Sequence, residues 1–163
     1  MSKIDLSKIP KDITGIAVDG SCLGNPGEGR FKIVDLKTKQ CIHLSDPFQS
    51  TNNVAEFLAL VMGIYIAFKR GYDNVYTDSK TAVSWLRLGD VNTSLPRTKK
   101  TEATYSKLAK AANIISKLEY VQTEDSIYMK YKNQRVYIRK WDTRNWGENI
   151  ADLGYKNAPK NKK

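Results

Sequence analysis

Hydrophobic positions first run almost unbroken from Ile13 to Cys22, and the run closes in glycine-rich sequence. A short apolar run of this kind predicts a buried strand. Gly24-Asn25-Pro26-Gly27 is a turn signal. From Arg30 to Leu36 the pattern alternates, with Phe31 and Ile33 on one side and Arg30 and Lys32 on the other. After a turn at 37–39, Gln40 to Leu44 makes a further short strand. These elements predict an antiparallel meander.

The period then changes. Over 53–70 apolar positions cover most of a helical surface, which predicts a helix buried against the sheet, closed by Gly71. Asn74 to Thr77 predicts a short strand, and Thr81 to Leu88 a helix. A polar loop over 89–100 leads to an amphipathic helix from Glu102 to Leu118. Ile127 to Trp141 is a basic, tyrosine-rich strand region, and Glu148 to Tyr155 starts a last helix. The order of strands and helices predicts an α/β fold, a mixed sheet with helices packed on it. One domain is expected over 13–156, after an N-terminal extension over 1–12. The lysine-rich tail over 157–163 is expected to be disordered.

Composition sharpens the picture in three ways. The net charge of +10 favours an anionic partner, either nucleic acid or an acidic membrane surface. Lys130, Lys132, Arg135, Arg139 and Lys140, interleaved with Tyr128, Tyr131 and Tyr137, offer a phosphate-tracking surface or a solvated basic face. The N-terminus has no signal-peptide stretch, and the apolar run Phe57 to Phe68 is too short to span a bilayer. A cytoplasmic protein without a membrane partner is expected, with Cys22 and Cys41 as reduced thiols. Only one histidine is present, His43, inside a strand-like segment. Carboxylates therefore remain as the main candidates for chemistry.

Each candidate has two readings. Asp19 interrupts the apolar run Ile16-Ala17-Val18; a buried carboxylate needs a partner or a metal, but a strand-end turn with Gly20 also accounts for it. Glu56 is either a ligand or the reciprocal residue of a capping box led by Asn53. Asp78 lies at a strand-to-helix junction, where both a helix-start acid and a site residue are favoured. Glu148 and Asp152 are four apart and share one helix face, as metal ligands or as a solvated acidic helix start. Together they meet a chemical need. Phosphodiester hydrolysis requires an activated water and stabilised negative charge, which two magnesium ions ~3.5–4 Å apart supply, and magnesium prefers oxygen ligands.

At these residues the chain resembles the ribonuclease H type 1 family. The matching segments are Val18-Asp19-Gly20-Ser21 with Gly24-Asn25-Pro26-Gly27, then Thr51-Asn52-Asn53-Val54-Ala55-Glu56, Tyr76-Thr77-Asp78-Ser79, and Trp146-Gly147-Glu148-Asn149-Ile150-Ala151-Asp152. The resemblance implies the ribonuclease H fold, a five-stranded mixed sheet flanked by helices. It implies endonucleolytic cleavage of the RNA strand of an RNA–DNA hybrid by a monomer with Mg2+ or Mn2+, leaving a 5′-phosphate and a 3′-hydroxyl. Asp19 would bridge two metal ions, Asp152 would complete the site of the attacking water, and Glu56 and Asp78 the site beside the leaving oxygen. Glu148 resembles an accessory glutamate that helps turnover.

Substrate contacts follow from the same resemblance. Gly24, Asn25, Asn52 and Asn53 correspond to residues that track the RNA strand. Thr51, Asn53, Thr93 and Ser94 fall where the family holds a DNA phosphate, and Trp85 where an aromatic packs on a DNA sugar; core packing and a plain polar loop are the alternatives. The chain departs from the pattern in having no histidine over 142–147 and in Lys80 replacing an uncharged polar residue, and no separate hybrid-binding domain is expected before residue 13. Two other functions remain open, a non-catalytic binding module of this fold and a DNA-directed nuclease of the superfamily.

Overall fold

The computed structural model describes residues 4–154. The expected tail over 157–163 lies outside the described residues. Strands β1 (Ile16–Gly24) and β2 (Gly27–Asp35) form a hairpin, with Ile16 opposite Asp35 and Gly24 opposite Gly27. β3 (Gln40–Leu44) continues antiparallel beside β2, completing the expected meander. β4 (Phe48–Ser50) pairs with the turn end of β2. Helix α1 (Asn52–Arg70) leads to β5 (Asn74–Thr77), which lies parallel to β1.

Helices α2 (Lys80–Leu88) and α3 (Glu102–Ser116) follow, then strands β6 (Glu119–Gln122), β7 (Ile127–Tyr131) and β8 (Gln134–Lys140). β8 lies parallel to β5, and β7 and β6 continue antiparallel from it. The main order is β3-β2-β1-β5-β8-β7-β6. Its first five strands are the expected mixed sheet. The correction is in number: the sheet has eight strands. The tyrosine-rich region is two strands, turned at Lys132 (φ 54°) and Asn133, with no glycine or proline to mark the break. β6 continues directly from the end of α3.

Side chains alternate across the sheet. Val18, Ile33, Val75, Val136 and Ile138 pack under α1 in one core. Ala17, Val34, Tyr76 and Trp141 face the other way and form a second core with Ile9, Ile150 and Ala151. Ile9 belongs to the expected N-terminal extension, so that segment is packed onto the domain. α1 is long and apolar enough by composition to cross a membrane. Here its apolar positions, among them Phe57, Leu60 and Ile64, are buried in the first core.

Candidate active site

Asp19 lies in β1, one residue beyond Val18, and so faces the second core; it is 4% exposed. Gly20 sets its neighbourhood. A Cβ at Gly20 would stand 2.2 Å from the Ala55 carbonyl oxygen. Only glycine lets β1 press directly on the first turns of α1, and this contact brings Asp19 to the part of α1 that carries Glu56.

Thr51, not Asn53, caps α1, its side chain accepting from the Val54 amide at 3.2 Å. Glu56 is therefore the fifth helical residue and has no part in a capping box. It is half-buried. Burial, and then the negative charge of Glu56, push the nearby Cys22 thiol up to about 11.

Asp78 directly follows β5. Ser79 caps α2, accepting from the Ala82 amide at 3.0 Å, so Asp78 is not the cap. Its Oδ2 accepts from Nδ2 of Asn149 at 3.2 Å. The same Nδ2 donates to the Val18 carbonyl at 3.0 Å, and Asn149 Oδ1 accepts from the Ala151 amide at 2.9 Å. Asn149 is 5% exposed. It was not among the candidate site residues, having neither charge nor a periodic position. The available signal was an amide inside the acid-bearing segment.

The expected helix from Glu148 is a further correction. A short helix α4 (Thr143–Trp146) stops at Gly147, whose φ 80° and ψ −162° suit glycine alone. Over 148–154 the chain forms turns, because the Asn149 side chain competes for the backbone amide of Ala151. Glu148 and Asp152 thus do not share a helix face. Trp141 Nε1 donates to the Gly147 carbonyl at 2.9 Å and anchors the segment to the second core. Asp152 is buried, with Oδ2 accepting from the Gly154 amide at 3.0 Å, and the Leu153 amide donates to Asp19 Oδ2 at 3.2 Å. Glu148 is half-buried next to Asn149.

The segments that carry the acids therefore meet, but among the described residues no three His, Cys, Asp or Glu side chains form a group that could hold a metal ion. Like charges repel, and the carboxylates of Asp19, Asp78 and Asp152 are turned onto N–H donors instead. In kind the donors fit a hard divalent ion: they are all carboxylate oxygens. His43 is exposed on β3, its ring 5.5 Å from that of Phe31.

Of the substrate candidates, the turn at Gly24 and Asn25 and the start of α1 are joined. Asn25 Oδ1 accepts from the Asn52 amide at 3.0 Å, and Ser21 Oγ donates to Asn52 Oδ1 at 3.2 Å. Thr51 and Asn53 flank Asn52 in the chain, Thr51 as the cap of α1 and Asn53 exposed. Trp85 is 6% exposed, with its ring edge-on to Phe57 at 5.7 Å, as the core-packing alternative expects. Thr93 accepts from the Leu95 amide and lines a cavity of about 320 Å³ with Arg97 and Tyr105. Ser94 is exposed in the same loop.

The fold and site define an α/β protein in which acid-bearing segments meet beside parallel strands β1 and β5. The chain belongs to the RNase H family, whose model matches residues 11–134. That range holds Asp19, Glu56 and Asp78; Glu148 and Asp152 lie beyond it. Ribonuclease H of Trichodesmium erythraeum is 37% identical over 75 residues, 45% of this chain and 48% of that protein. Ribonuclease H of Desulforamulus reducens is 38% identical over 80 residues, 48% of this chain and 50% of that protein. The chain spans about half the length of the curated relatives it matches. Among solved structures, RNase H1 of Halobacterium salinarum is similar at 23% identity and a TM-score of 0.41, over 63% of this chain and 76% of that one.

Proposed function

We propose that this protein is an endoribonuclease that hydrolyses the RNA strand of RNA–DNA hybrids with divalent metal, magnesium or manganese, held by Asp19, Glu56, Asp78 and Asp152. The observation that carries this reading is the joining of the acid-bearing segments: Asn149 binds both Asp78 and the Val18 carbonyl, and the Leu153 amide binds Asp19. Membership of the RNase H family and a net charge of +10 support it.

When bound, a pair of divalent ions supplies Lewis-acid charge at the phosphoryl oxygen and a water of lowered pKa. The chain's own work is to hold and orient. Asp19 offers oxygens from a strand, Glu56 from a helix, Asp78 from a strand end, and Asp152 from the anchored segment after Trp141. In the hydrolysis the water oxygen bonds to phosphorus, the bond from phosphorus to O3′ breaks, and O3′ takes up a proton. The ends are a 5′-phosphate and a 3′-hydroxyl. Gly24, Asn25, Asn52 and Asn53 offer backbone and amide groups to the RNA strand, where the 2′-hydroxyl separates RNA from DNA. Glu148, beside Asn149, is assigned to turnover rather than to the ligand set.

The test is cleavage of labelled hybrid, duplex RNA and duplex DNA with magnesium, manganese or chelator. Hybrid alone should be cut, and only with metal. Asp78→Asn should abolish cleavage while the melting temperature and hybrid binding stay near those of the parent. Full activity of that variant would sink the ligand assignment. Hybrid binding with no product in either metal would make the protein a binding module, and cleavage of duplex DNA alone would make it a DNA-directed nuclease.

A further inference from the structure

Four side chains stand in a row on the sheet face turned away from α1. The Arg139 guanidinium lies over the Tyr137 ring at 5.1 Å. Tyr137 and Tyr128, directly opposed on β8 and β7, have ring centroids 5.1 Å apart. Arg135 lies over Tyr128 at 4.9 Å. Val136 and Ile138, between them in sequence, are buried in the core beneath α1. Residues 135, 137 and 139 therefore share the outer face, the face of Asp19, by the strand period of two. Tyr131 instead packs against Phe68 of α1 and is not part of the row.

The row has a direction. Arg139 is paired with Tyr76 and Lys140 with Thr77, the residue before Asp78. From there it runs ~13 Å along β8 to Arg135, at about 3.3 Å per residue. Lys130 is opposite Arg135. At the site end it borders a groove of about 680 Å³, lined by Asn74, Tyr137, Arg139, Lys140, Asp142 and Trp146 among others.

This differs from an ordinary solvated basic strand. Arg70 pairs with Asp35 at 2.6 Å on another part of the molecule. Arg135 is held by the Tyr128 ring, and Arg139 by the Tyr137 ring and by Asn74 Oδ1, to which its Nε donates; among the described residues neither is held by a carboxylate, so their charge stays available to an anion while their orientation is set. Acids stand at the margins. Glu119 is paired two strands out with Lys130, Asp125 lies at the groove, and Asp142 is occupied in capping α4 through the Asn145 amide and side chain. Positive charge along a backbone path, with flat groups for bases, is the recognition chemistry of single-stranded nucleic acid.

We propose that this row is a track for single-stranded DNA leading away from the acid site. The choice of DNA rests on the hybrid-hydrolysis reading: cleavage removes RNA, and the DNA strand persists and becomes unpaired. The track would hold the protein to a strand beyond the hybrid being cut.

The experiment measures fluorescence anisotropy of labelled oligo-dT and oligo-U in chelator, where nothing is cleaved, with the parent protein and Arg135→Gln/Arg139→Gln. Both arginines are exposed, and the double variant should melt with the parent. Its oligo-dT affinity should fall ~10-fold or more, and the salt slope should shrink by ~1.4, about 0.7 for each phosphate that no longer meets an arginine. Tyr128→Leu/Tyr137→Leu should weaken binding while leaving that slope unchanged. Oligo-dT binding that is absent, or indifferent to the arginines, would overturn the track. Tighter arginine-dependent binding of oligo-U would overturn its assignment to DNA. Arginine-dependent oligo-dT binding by a protein that cuts no hybrid would support the surface and sink the hydrolase reading.

Discussion

At Asn149 one amide makes three hydrogen bonds that join β1, Asp78 and the backbone before Asp152. Removing it frees the Asp78 carboxylate and leaves a buried carbonyl at Val18 without that donor. Partners of ligand groups typically set metal affinity within ~10–100-fold. Asn149→Ala should therefore weaken Mn2+ binding by about that much, measured by calorimetry on protein without substrate. Unchanged affinity would reduce Asn149 to a packing role. Local sequence could not separate this residue from its neighbours. It could name each acid but not choose between two readings of it. The structure gives the helix caps to Thr51 and Ser79, which removes the capping-box reading of Glu56 and leaves Asp78 beside the start of α2.

Among elements, the closest join is β1 against α1 at Gly20. An alanine there meets backbone, which cannot swing aside as a side chain can. Gly20→Ala should cost about 1–3 kcal/mol in chemical denaturation. It should also lower activity more than that loss explains, since it parts the strand of Asp19 from the helix of Glu56. An alanine variant as stable as the parent would remove the close-approach argument. β1, β2, β3, α1, β5, α2 and α3 were all legible, because an apolar run, an alternation or a helical period bounded by turn residues marks them in the sequence. The hairpin β7–β8 read as one strand region because its turn is made by Lys132 without glycine or proline. The helix at 148–155 was expected because local period takes no account of Asn149 bonding its own backbone.

The whole molecule is closed on its far side by Asp35, at the end of β2. Asp35 accepts from Tyr72 Oη at 2.7 Å, from the Lys37 amide at 2.8 Å and from Arg70 at the end of α1 at 2.6 Å. Burial pushes its carboxyl up, but these hydrogen bonds outweigh burial and it titrates below the ordinary 3.8. A depressed carboxyl stabilises the fold fully above its unfolded pKa, and the contribution is lost as pH falls through the folded value. The melting temperature should hold down to about pH 4 and then fall. In Asp35→Asn the curve should start lower and fall less steeply over that acid range. A parallel curve would show that other groups dominate acid unfolding.

By itself the sequence determined the sheet-and-helix order, the burial of α1 and the acids available for chemistry, because periodicity and residue type are local properties. Tertiary structure alone decided that Trp85 fills the core, that Asn149 ties the acid-bearing segments together, and that arginines and tyrosines from two strands form one row. Each depends on which strand lies beside which and which face a side chain takes. That choice is made when distant segments bury their apolar faces together.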